Sequence, residues 1–237
     1  MPGYYIHLAA CGKQALKNRS FVLGVEAPDI LKKHLKIFGG TEGARAKYES
    51  LRTADMPDYQ EFELRVKQKE RLSSTDGLHY GMSSSPDIKA FWNSLSEQQK
   101  NNPFYRGYVW HLLTDLIMYT RLNVQSKFYK AVESKFQDAL NASPDSAQPV
   151  QIEEIEMREL NRLHADWDKI NARIRDAYPE VVLPDEVKEL GVVQFISEGE
   201  LAYVEWDVIK NTLDYLRIFA PLDGNMDVLI ETVMNNI

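Results

Sequence analysis

Cysteine is almost missing from this chain. Cys11 is the only one in 237 residues, so no internal disulfide can form and a reducing compartment is expected. Net charge is −7 and no basic block of five or more residues occurs, which argues against obligatory binding to a nucleic-acid backbone. That shortage of positive charge leaves room for a metal-centred site acting on phosphate esters, because a bound cation can be the largest local charge there. The opening stretch MPGYYIHLAACGK lacks a basic leader and a clean cleavage site, and its apolar part is too short to span a bilayer. No export signal and no transmembrane segment are expected, and the cytoplasm is the expected location. Internal repeats are absent, and so is any adjacent His-Asp pair, which weighs against phosphohydrolases built on that dipeptide. The remaining composition, 44% hydrophobic and 27% charged, is ordinary for a folded globular chain.

The most informative stretch is PFYRGYVWHLLTDLIMYT, residues 103 to 120. At 100° per residue its apolar side chains, Tyr105, Tyr108, Val109, Trp110, Leu112, Leu113, Leu116, Ile117 and Met118, surround the cylinder, as in a core helix. Gly107, His111 and Asp115 fall in one line at four-residue steps, with Gly107 leaving space a turn below the two polar side chains. A carboxylate in a core must be paired or must bind a metal. Taken alone, Asp115 accepting from His111 is the simpler account, since with 35 acidic residues a given His meets one four positions later about one time in seven.

Along the chain, residues 4 to 17 read as a short helix carrying His7. The apolar run from Phe21 to Val25 leads to Pro28-Asp29, a predicted boundary at which Asp29 either caps a helix over residues 30 to 38 or serves a site. Gly39 and Gly40 end that helix. Residues 41 to 54 read as an exposed helix, 59 to 71 as a helix, and 73 to 85, with His79, as a loop. Ser85 and Pro86 are placed at the start of the next helix. Further helices are predicted over 124 to 141, 151 to 177 (stripe Leu160, Leu163, Trp167, Ile170, Ile174), about 199 to 219, and 224 to 236. Residues 141 to 149 form a linker, and 191 to 197 either a short strand or a buried connector. The sum is an all-α multi-helix bundle in one domain, 1 to 237, with a site-bearing core over 1 to 142 and additional C-terminal helices over 150 to 237.

Three of the five histidines, His7, His79 and His111, and two carboxylates, Asp29 and Asp115, sit beside features that a hydrolytic metal centre needs. The order of an N-terminal His, the run LGVEAPD, a loop His and then GYVWHLLTD resembles the zinc-dependent phospholipase C family and, more distantly, the zinc single-strand nucleases of the same superfamily. The resemblance covers roughly residues 5 to 118. It implies that Asp29, His79, His111 and Asp115 hold one zinc, and that His7 with a bridging Asp115 helps to hold a second. It also implies Asp29 as the base for the attacking water, and Glu26 is a candidate partner for a ligand histidine. Secreted members use a processed N-terminal amine as a ligand, which is not expected here, and no histidine follows His111 until His164.

His164 and Asp168 match another ligand spacing of that family, but on the wheel they lie away from the centre of the apolar stripe and read as a solvated or lightly packed pair. His34, within LKKHLK, reads as a surface residue. Tyr4, Tyr5 and Trp206 line a pocket or a subunit contact or, as such residues more commonly do, pack in the core. The functional expectation is a metal-dependent phosphodiester hydrolase using one or two Zn2+, with Asp29 and Asp115 catalytic. Its substrate is expected to be a small phosphodiester or a phospholipid head group. The competing expectation is a non-catalytic helical interaction protein with a structural metal or none.

Overall fold

The computed structural model describes residues 4–37, 41–54, 56–61, 81–82, 85–142, 152–189 and 193–236. It is all-α. Helices α1 (Tyr4–Ala9), α2 (Arg19–Ile37) and α3 (Thr41–Leu51) come first, with a 3-10 turn at Ala15–Lys17 between the first two. The two-residue segments Gly81–Met82 and Ser85–Pro86 pair antiparallel. Then follow α4 (Ile88–Asn93), α5 (Glu97–Lys100), α6 (Pro103–Leu122), α7 (Val124–Ala142), α8 (Ile152–Ala177), α9 (Asp185–Glu189), α10 (Trp206–Leu216) and α11 (Met226–Asn235). Among the described residues no helix is long and apolar enough to cross a membrane.

The central helix α6 is set by its ends. Asn102 caps it by accepting from the Phe104 N–H at 2.9 Å, and Pro103 fills the first position, where no N–H is needed. It stops at Asn123, whose φ of 49° puts it in the left-handed region that Asn tolerates. Between these ends nearly every residue is buried, as the all-round apolar pattern requires. Apolar residues from Tyr5 to Val233 form one core around it.

Helix α2 makes the most extensive contact with α6. Two glycines allow it. A Cβ at Gly24 would fall on the carbonyl oxygen of Phe104, and one at Gly107 on that of Phe21, with Val25 N only 2.9 Å away. The space left by Gly107 is therefore taken up by the backbone of α2.

Several expectations are corrected. Pro28 does not mark a boundary, because α2 runs through it from Arg19 to Ile37, and Asp29 is an interior residue of that helix rather than a cap. Proline lacks the N–H that would reach the Gly24 carbonyl, yet burial against α6 keeps the helix continuous. Asp87, not Ser85 or Pro86, caps α4 by accepting from the Ala90 N–H at 3.1 Å. Residues 4 to 17 form a six-residue helix and a separate 3-10 turn rather than one helix. Helix α3 ends at Leu51 and is not wholly exposed, since Tyr48 is buried with its hydroxyl donating to the Pro57 carbonyl at 2.9 Å.

In the C-terminal half, helix α10 begins only at Trp206, because residues 193 to 205 run irregularly against α8. The alternative of a short strand there falls away over 193 to 197. Leu160 lies exposed, so the stripe of α8 starts at Leu163. Tyr5 belongs to the core, and Trp206 packs against it. Most of the expected helix over 59 to 71, Gly39 and Gly40, and the linker from residue 143 lie outside the described residues.

Gly107→Ala is expected to cost about 1–3 kcal/mol or more, because backbone on both sides must move. A urea unfolding midpoint unchanged from wild type would show that the two helices are not locked at this point.

Candidate metal centre

Three helices bring the polar cluster together. Helix α1 supplies His7, α2 supplies Asp29, and α6 supplies His111 and Asp115. His7, His111 and Asp115 are each fully buried, and Asp29 is 6% exposed. The close approach at Gly24 and Gly107 brings the Val25 carbonyl to within 2.7 Å of His111 Nδ1. A carbonyl can only accept, so Nδ1 carries the proton and, in the neutral ring, Nε2 presents its lone pair. Nε2 faces Asp115 Oδ2 at 3.6 Å.

On the other side of Asp115, His7 Nε2 lies 3.4 Å from Oδ1, and the same nitrogen lies 3.9 Å from Asp29 Oδ2. These separations exceed hydrogen-bond length. They resemble the spacing of donors around a tetrahedral ion, where bonds of about 2.1 Å put neighbouring ligand atoms about 3.4 Å apart. One ligand atom from each of His7, His111 and Asp115 lies within 4.8 Å of the other two. The imidazoles of His7 and His111 stack, with centroids 3.8 Å apart and planes inclined by 21°.

The cluster is least covered at Asp29. Asp29's side chain is 8% exposed against 1% or less for the side chains of His7, His111 and Asp115. Tyr119, one turn beyond Asp115 on the same line of α6, is half-buried. Burial, and the negative charges of Asp115 and Asp29, push its phenol well up, so it stays protonated and can donate. The arrangement offers imidazole nitrogens, carboxylate oxygens and a neutral hydroxyl around one small space. It can hold a divalent cation and present a hydrogen-bond donor at the rim.

Of the residues expected from sequence, His7, Asp29, His111 and Asp115 are brought together, and His79 lies outside the described residues. His164 is exposed and Asp168 half-buried, both on α8. Asp168 is raised by burial and lowered by His164, an effect of one neighbour on the other. Asp166, passed over in the sequence, is the fully buried carboxylate of that segment. It accepts from the N–H groups of Ala202 (2.8 Å) and Tyr203 (2.7 Å) and so ties residues 202–203 to α8. Its place between Leu163 and Ile170 at helical spacing was the available signal. Tyr119 was also missed, although HxxxDxxxY was legible as one line.

Glu26, one turn before Asp29, is 1% exposed, and neither carboxylate oxygen has a hydrogen-bond partner. Burial first, and the charge of Asp29 second, raise its carboxyl well above the ordinary value of 4.5. Nearby Cys11 donates to the His7 carbonyl at 3.3 Å, and burial together with Glu26 pushes its thiol up, which makes it unreactive.

No protein-family model, curated protein or solved structure matches the chain. A functional reading therefore stands on the side chains of this cluster.

A carboxyl raised in the folded state binds a proton that the unfolded chain has lost. Its stabilising contribution is fully present below pH 4.5 and is lost as pH rises through the folded value. Glu26→Gln should therefore gain stability relative to wild type as pH goes from 5 to 8 in chelator-containing buffer. Parallel urea midpoints for the two proteins over that range would contradict a protonated Glu26.

Proposed function

We propose that this protein is a metal-dependent hydrolase that cleaves a phosphate ester or phosphodiester. The observation that carries the reading is that one buried ligand atom from each of His7, His111 and Asp115 lies within 4.8 Å of the other two, a group that could hold a metal ion. Imidazole and carboxylate donors together favour zinc. The resemblance of LGVEAPD and GYVWHLLTD to the zinc-dependent phospholipase C family supports the same assignment.

In this proposal His7, His111 and Asp115 hold the ion, with Asp29 as a further ligand or as the base for water. When bound, the cation supplies positive charge for the phosphoryl oxygens and lowers the pKa of a coordinated water. The residues of the chain do the rest. The Val25 carbonyl fixes the tautomer and direction of His111, as a partner behind a metal ligand commonly does. Asp29, the least covered of the four, can take a proton from water entering the site. Tyr119 remains a neutral donor and can hydrogen-bond a phosphoryl oxygen without adding charge.

A second reading has one observation in its favour: three of the cluster residues are fully buried, as in a closed structural site. The partial exposure of Asp29 and the half-buried Tyr119 beside the cluster favour catalysis instead. The proposed substrate class is a small phosphodiester or a phospholipid head group.

Metal analysis of protein purified without chelator, paired with hydrolysis of bis-p-nitrophenyl phosphate, separates the two. Wild type should carry zinc and turn over, and Asp115→Asn should lose metal and at least about 100-fold in rate, the upper range for disturbing an outer partner of a metal. Full metal and full activity in that variant would sink the assignment, whereas tightly held zinc with no turnover in wild type would favour the structural reading. Tyr119→Phe should keep its metal and lose about tenfold in kcat, the equivalent of one charge-assisted hydrogen bond of about 1.5 kcal/mol. His164→Ala should change neither.

A further inference from the structure

We propose that Arg217, at the far end of the sequence, is a positioning residue that fixes His7 within the cluster. The inference rests on the metal reading above for its consequence, but its structural basis is independent of it. Helix α1 has only six residues, far below the length at which an isolated helix persists in water. Something outside the helix must therefore set where His7 stands.

Helix α1 packs on α2, α6 and α8, and two polar anchors from the C-terminal half fix its ends. At the start of α1, the Tyr5 hydroxyl donates to the Val181 carbonyl at 2.7 Å, and its ring meets Phe195 edge-on at 5.3 Å. At the end, Arg217 Nη1 donates to the Ala9 carbonyl at 2.7 Å and to the Cys11 carbonyl at 3.1 Å. Helix ends leave such carbonyls without intrahelical donors, and a guanidinium satisfies two of them through one charged group.

Arg217 is itself held on its other sides. Its Nη2 pairs with Glu180, and its guanidinium lies over the Tyr178 ring at 4.7 Å. The Tyr178 hydroxyl in turn donates to Asp214 Oδ1 at 2.7 Å, on the helix that leads into Arg217. The loop after α8 and the end of α10 thus grip α1 as a unit. His7, two residues from Ala9 and buried between the anchors, inherits its position from that grip. A lysine keeps the charge but lacks the fork that serves the Ala9 and Cys11 carbonyls through one nitrogen and Glu180 through the other.

The test uses the full chain and zinc itself as the probe. Affinity is read by competition with a chromogenic chelator for wild type, Arg217→Met, Arg217→Lys, His7→Ala and the Arg217→Met/His7→Ala double variant, each checked for helix content by circular dichroism. Arg217→Met should weaken zinc binding about tenfold or more, Arg217→Lys should do so less, and the double variant should bind no more weakly than His7→Ala alone. That non-additivity distinguishes positioning through His7 from general destabilisation, which would add. Wild-type affinity in folded Arg217→Met, or losses that add in the double variant, would overturn the proposal. If Arg217→Met does not fold, unchanged affinity in Arg217→Lys overturns it instead.

If wild type binds no zinc, the metal reading fails, and the positioning claim is read separately in metal-free protein carrying 13C-labelled histidine. The stacked His7 ring should then shift in Arg217→Met or Arg217→Lys while the exposed His164 resonance stays in place. An unmoved His7 signal would refute it.

Discussion

The backbone contact between α2 and α6 is the constraint on which the remaining structure depends. Gly24 and Gly107 let two helices approach until the carbonyl of one occupies the place of a side chain on the other. That approach puts the Val25 carbonyl against His111, fixes a proton on Nδ1, and turns Nε2 toward Asp115. It also places Asp29, one turn further along α2, at the least covered edge of the same cluster. A wider crossing would leave the same residues in the sequence but would separate Val25 from His111.

Burial has two different consequences around this crossing. For His7, His111 and Asp115 it removes water from a group of donors that could hold an ion. For Glu26 it suppresses ionisation, so a carboxyl only one turn from Asp29 is held neutral. Tyr119 follows the same physics at the rim, where burial and neighbouring negative charge keep its proton in place.

The C-terminal half works from a distance. Asp166 ties residues 202–203 to α8, and Arg106 reaches from α6 to the Pro221 carbonyl at 2.9 Å and also to that of Gly224. Arg217 and Tyr5 join this half to α1. Through such contacts helices that contribute nothing to the cluster itself still fix one of its members.

By itself, the sequence determined the all-α class, the central helix, and the line that His111 shares with Asp115, while only the family resemblance grouped His7 and Asp29 with them. Helical periodicity made the first three legible, because an all-round apolar pattern with two polar residues in line leaves few ways to bury them. Tertiary structure decided what local rules could not. Pro28 reads as a break, yet packing against α6 carries α2 through it. Asp29 reads as a cap, yet it belongs to a helix interior and faces a histidine. Asp166 and Arg217 matter through partners 36 and 208 residues away, and pairings of that range leave no period in the sequence. The reason is physical: spacing along a helix specifies which side chains share a face, while the distance between helices and the choice of neighbour emerge only when the backbones meet.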